Sequence, residues 1–169
     1  MFDQEKINNI QVHAPDYIRE FDTASNYFED AREGHLELWV PPRFEDRFII
    51  GADVALGVGQ DYSTAVVMNK ERQVCALFRD NFTDPSNFGD ILFYLGRYFN
   101  NALLAVESNS LGIATLNRLK QMNYMNLYYQ TKAASLLDDE GGKPGFRTTV
   151  STKPMIIGNL KRAIEEDDI

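Results

Sequence analysis

One cysteine, Cys75, two histidines and one tryptophan are found among the 169 residues. A lone cysteine excludes an internal disulfide and makes a reducing compartment the default. Long apolar runs are missing too. The longest uncharged ones, such as Phe48 to Ala52 and Ala102 to Val106, fall far short of the ~20 residues of a membrane-spanning helix. Met1 to Glu20 contains no continuous apolar stretch of the secretory kind, so no membrane partner is expected. Bases are outnumbered, 17 Lys and Arg against 25 Asp and Glu, which gives a net charge of −8 and excludes a generally basic nucleic-acid coat. His13 and His35 lie in the front segment without matched partners, which removes the zinc and Ser-His-Asp readings and leaves surface or packing roles. Gly57-Val58-Gly59 opens a strand rather than a helix, and Gly141-Gly142-Lys143-Pro144 has neither the upstream glycine nor the Ser or Thr of a phosphate loop. Neither glycine pattern is therefore a nucleotide fingerprint.

What is present suits one globular domain of ordinary size: 44% hydrophobic and 25% charged residues. Acidity is concentrated at the front, where residues 1–47 hold eleven acids and five bases. This segment is expected to be a lead-in or linker, and residues 48–169 the domain proper. Seven of the fourteen acids in that second part fall in two runs, Asp138 to Glu140 and Glu165 to Asp168. The remaining body is mildly basic and permits, without requiring, contact with a polyanion.

Tyr17, Phe21, Ala24, Tyr27 and Phe28 recur at roughly helical spacing and predict a helix. Leu36, Leu38 and Val40 alternate as in a strand until Pro41-Pro42 halts it, and residues 35–47 read as a tether. Three strands follow, over Arg47 to Leu56, Tyr62 to Met68 and Gln73 to Phe78, with connections short enough for an antiparallel meander. Asp84-Pro85 places a capping carboxylate before a proline at the first helical position, ahead of an apolar face of Phe88, Ile91, Leu92, Leu95, Tyr98 and Phe99. Ala102 to Val106 reads as a buried parallel strand, Ser110 to Asn123 as a helix, Leu127 to Tyr129 as a strand, Asp138 to Gly145 as a mobile loop, and Thr152 onward as a last helix. Three antiparallel strands followed by helix-linked parallel strands make a mixed α/β sheet flanked by helices on both faces, the ribonuclease H-like arrangement.

Asp53 ends the first of these strands, inside Ile49-Ile50-Gly51-Ala52-Asp53, and Glu107 ends Leu103-Leu104-Ala105-Val106-Glu107. The two strands are plausible neighbours. Two carboxylates side by side in a cleft repel, so one takes a proton or a divalent cation sits between them. Carboxylate oxygens are the ligands that Mg²⁺ and Mn²⁺ prefer. Asp61, eight positions after Asp53, is either an auxiliary ligand or a turn carboxylate. Cys75, in mid-strand, reads as a small buried hydrophobe.

Several blocks in order resemble the nuclease domain of the large terminase subunit of tailed bacteriophages, over about residues 35–169. Gly51-Ala52-Asp53 with Gly57 and Asp61-Tyr62-Ser63 is similar to its first acidic motif, and Val106-Glu107-Ser108-Asn109 with Gly112, Leu119, Tyr124, Asn126 and Leu127 to its second. Gly145-Phe146-Arg147-Thr148 and Thr152-Lys153-Pro154 resemble its approach to the last helix, and Leu36 to Pro42 its lead-in from the motor domain. The resemblance implies an endonuclease that cuts concatemeric double-stranded DNA with two Mg²⁺ or Mn²⁺ ions, in the host cytoplasm during virion assembly. Asp53 would bridge the ions, Glu107 would hold one, Asp61 would assist, and Arg147 and Lys153 would contact DNA phosphate. Its partners would be the terminase ATPase domain, the small subunit and the portal. Two departures are visible. The family's ATPase with its phosphate loop is absent, and its third acid, in a His-Asp-Asp type motif, has no match before Ile169, because Asp167 and Asp168 fall too early. The chain is thus expected to be truncated at its C-terminus.

Two other classes compete. Asp53, Gly57 and Ser63-Thr64 loosely imitate the phosphate turn of an actin-like or sugar-kinase-like ATP-binding half, without its second phosphate motif downstream. Alternatively, the fragment serves only as a docking piece of the packaging machine, through its acidic front.

Overall fold

The computed structural model describes residues 4–9, 13–130 and 142–166. A short helix α1 (Gln4–Asn9) precedes a hairpin of β1 (Tyr17–Asp22) and β2 (Tyr27–Asp30), then β3 (Leu36–Leu38), β4 (Phe48–Asp53), β5 (Ser63–Asn69) and β6 (Val74–Asp80). Next come α2 (Pro85–Tyr98), β7 (Leu103–Val106), α3 (Gly112–Gln121), β8 (Tyr129–Gln130), β9 (Lys143–Pro144) and α4 (Thr152–Glu165). Seven strands form one sheet in the order β2-β1-β3-β6-β5-β4-β7, while β8 and β9 pair separately. All pairs in the large sheet are antiparallel except β4 with β7. The expected mixed α/β architecture is therefore present, with β4, β5, β6, α2 and β7 where their patterns put them.

The front segment is corrected. No helix spans Tyr17 to Phe28; the segment is the β1–β2 hairpin, with Phe21 opposite Phe28. The turn has its own local chemistry: the Asp22 carboxylate accepts the Ala24 and Ser25 N–H groups at 3.0 and 2.9 Å, and Asn26 takes the left-handed conformation. Asp and Asn favour this turn by hydrogen-bonding locally and tolerating that conformation. Leu36 and Leu38, expected to alternate as in a strand, do so in β3, which pairs with both β1 and β6. Residues on either side of position 47 thus share one sheet.

Alternation along β4 puts Phe48, Ile50 and Ala52 inside and Ile49, Gly51 and Asp53 outside. The inner row packs with Val67, Phe78 and Leu104, and with Phe88, Leu92 and Leu95 of α2 and Leu116 and Leu119 of α3, in one core. Asp84 caps α2 by accepting the Ser86 and Asn87 N–H groups, with Pro85 opening the first turn. Arg118 of α3 donates to Asp90 of α2 at 2.6 Å. Both helices cover the same face. The expectation of helices on both faces is met on this one alone where the sheet centre is concerned: Ile49 is exposed on the other, and nothing lies within 4 Å of a Cβ built on Gly51. α4 forms near the place its pattern indicates but buries none of its side chains. Leu127, expected in a strand, makes a parallel bridge to Leu104, and the paired residues begin at Tyr129. The expected loop over Asp138 to Gly145 lies outside the described residues up to position 141, and its last part contributes β9. Cys75 is fully buried in β6, as expected of a small hydrophobe.

Candidate metal centre

Pairing register brings the two acids together. Ala52 of β4 lies opposite Val106 of β7, and the Glu107 N–H donates to the Ala52 carbonyl at 2.8 Å. Asp53 and Glu107 are each one residue further along, at the carboxyl ends of the parallel strands β4 and β7. Matched register places both side chains on one face. Their proximity has an electrostatic signature: the Asp53 carboxyl is pushed up to about 6, by desolvation first and then by hydrogen bonding with and repulsion from Glu107. Asp53 is nonetheless exposed by surface area and Glu107 half-buried. Repulsion at this edge is therefore felt within reach of solvent. Asp61, in the loop between β4 and β5, adds a smaller push in the same direction.

Backbone contacts fix the position of each acid. Asp53 accepts the N–H of Val54 at 2.9 Å, and the buried Ser63 hydroxyl accepts that of Ala55 at 3.0 Å, which anchors the start of the loop. Gly57 turns that loop with φ +77° and lies so close to the next one that a Cβ would stand 2.5 Å from the Thr83 carbonyl oxygen. Only glycine suits such a turn. On the other strand, Asn109 does two things: its amide donates to Glu107 Oε2 at 3.3 Å, and its carbonyl oxygen accepts the Leu111 and Gly112 N–H groups at 3.2 and 2.9 Å. One side chain thus tethers the acid and caps the start of α3. A Cβ on Gly112 would come within 1.7 Å of the Glu107 carbonyl oxygen, so this helix can begin here only on glycine.

Neither Asp53 nor Glu107 is paired with a Lys or Arg among the described residues. An uncompensated pair of carboxylates at which desolvation and then mutual interaction raise a proton affinity is a donor set that suits a hard divalent cation. It is an incomplete one, since no group of three or more His, Cys, Asp or Glu side chains suited to a metal converges among the described residues. Asp167 and Asp168 lie outside them.

The two basic candidates are both exposed. Arg147 follows Phe146, which bridges Glu107 in parallel and so extends the sheet beyond β7. The Arg147 N–H donates to Gln130, and its carbonyl accepts the Thr152 hydroxyl. Lys153 stands in the first turn of α4. Sequence reasoning missed Asn109 as a tether, although an Asn just ahead of a helix start was the available signal. It also left His35 without partners, a reading now corrected: His35 Nδ1 meets Glu20 at 2.7 Å and Nε2 meets the buried Asp80 at 3.5 Å. A hollow of about 490 Å³ is at the opposite end of the sheet, beside Arg47, Asn69 and Lys70, and has no acid pair.

The fold itself, a mixed sheet flanked by helices, is like that of large terminase nuclease domains from phages. The large terminase nuclease from thermophilic phage G20c with bound magnesium superposes with a TM-score of 0.61 at 21% identity, over 80% of this chain and 63% of that one. Its cobalt-bound form gives 0.62 at 20% identity, over 82% and 64%. The Thermus phage P74-26 large terminase nuclease domain gives 0.58 at 19%, over 80% and 61%. The chain therefore spans less than two thirds of the length of these structures. No family model matches the sequence, and no curated protein does either.

Proposed function

We propose that this chain is the metal-dependent endonuclease part of a viral DNA-packaging terminase, hydrolysing phosphodiester bonds of concatemeric double-stranded DNA in the host cytoplasm. The observation that carries the reading is the register of β4 and β7, which sets Asp53 and Glu107 side by side without a cationic partner. The magnesium- and cobalt-bound terminase nucleases of like fold support a divalent cation in this role. All-oxygen donors favour Mg²⁺ or Mn²⁺. Asp53 and Glu107 would hold the ions. When bound, such ions activate water and neutralise charge on the leaving 3′ oxygen of an in-line displacement.

The remaining work belongs to the chain's own side chains. Asn109 holds Glu107 in orientation, Asp61 orients water from the β4–β5 loop, and Arg147 and Lys153 contact phosphates beyond the cut. The nuclease unit takes in β1–β3 of the front segment together with residues 48–169, and an ATPase motor, the small subunit and the portal are its partners. Plasmid nicking by the chain in Mn²⁺ tests the assignment. Asp53→Asn is expected to abolish it, and cleavage at the wild-type rate would refute it.

A further inference from the structure

Cross-strand pairing continues away from the acids along the same row. Asp53 of β4 lies opposite Thr64 of β5, and Thr64 opposite Arg79 of β6. Side chains opposite one another share a face, so Arg79 stands on the face of Asp53, two strand spacings or about 10 Å away. It is exposed and makes no ion pair among the described residues. Its guanidinium carbon lies over the ring of Tyr62, 3.8 Å from the centroid. Tyr62 directly follows Asp61 in the loop bordering the acid pair. Arg19 and Arg118, by contrast, are neutralised by Asp30 and Asp90.

An arginine stacked on an aromatic ring gives up one face of its guanidinium and keeps its N–H edge free. The ring also removes much of the rotamer freedom that a phosphate contact would otherwise have to restrict. That edge is the geometry that grips phosphate oxygens in a bidentate way. In a chain with a net charge of −8, a polyanion can approach the acid edge only where such cations stand.

We propose that Arg79, held by Tyr62, is a binding site for a backbone phosphate of duplex DNA, flanking the scissile phosphate on the side of Asp53 away from Glu107. This rests on the nuclease reading and adds to it a contact on the far side from Arg147.

Binding of the full chain to a fluorescein-labelled 30-bp duplex, followed by anisotropy in Ca²⁺ over a range of KCl, tests the proposal. Arg79→Ala is expected to weaken binding about fivefold to tenfold and to reduce the slope of log K against log salt by about 1. Tyr62→Leu should lose part of the affinity and Tyr62→Phe almost none, while Arg79→Lys should keep the salt slope with reduced affinity. Lys70→Ala, in the turn at the opposite end of the sheet, serves as the control and should bind as wild type does. Unchanged affinity and slope in Arg79→Ala, with wild type binding well, overturns this inference alone. No binding by wild type at low salt overturns it together with the nuclease reading. An Arg79 effect in a chain that never nicks plasmid supports the phosphate contact and strikes the catalytic assignment.

Discussion

α2 and α4 each have fourteen residues, carry a proline within their first three positions and show an apolar stripe, yet they end in opposite surroundings. α2 buries Phe88, Ile91, Leu92 and Leu95 against the sheet, whereas Met155, Ile156, Ile157 and Leu160 of α4 are all exposed. The starts differ as well: Asp84 caps α2 with its carboxylate, and Ser151 makes no side-chain cap bond to α4. Periodicity announces that a helix has a face to cover. It does not say where the cover lies.

The sharpest way to break this comparison is deletion from each stripe. Phe88→Ala should cost about 3–5 kcal/mol in urea unfolding, and Ile157→Ala less than about 0.5 kcal/mol, as for a surface site. Equal losses would mean that α4 covers a core surface in solution. The caps give a smaller contrast: Asp84→Ala should cost about 1 kcal/mol and Ser151→Ala only a few tenths, read from the same unfolding curves.

At the acid edge the sign reverses, and partial desolvation and the neighbouring Glu107 work against the fold. Asp53 keeps its proton to about 6 in the folded chain, against an ordinary value of 3.8. Between those two pH values the folded state binds more protons than the unfolded one, so this group's contribution makes stability fall as pH rises from about 4 to about 6. In metal-free buffer Asp53→Asn should flatten that fall and show a slightly higher thermal midpoint than wild type above pH 6. Mn²⁺ should raise the wild-type midpoint and leave that of Asp53→Asn almost unmoved. A wild-type chain indifferent to Mn²⁺ would remove the metal centre.

Much of the central sheet could be read in advance because its signals are local. Apolar runs separated by Gly57 and Gly59 marked β4 and β5, the Asp84-Pro85 pair marked the start of α2, and a short apolar run marked β7. The hairpin β1–β2 was misread because Tyr17, Phe21, Ala24 and Phe28 also satisfy a helical period. Its true partners, Phe21 on Phe28 and Tyr17 on Leu38, belong to different strands. Arg79 was passed over for a similar reason: an arginine in a strand reads as solvated surface until a ring 17 positions earlier is found beneath it.

By itself the sequence determined which residues bear charge at strand ends, where chains turn and which helix is capped, since these depend on neighbours within a few positions. Only the tertiary structure decided that Asp53 and Glu107 meet, that Asn109 ties the second acid to a helix start, and that one amphipathic helix is covered while another is not. Those outcomes depend on pairing register and packing between segments far apart in the chain, and no local preference encodes that information.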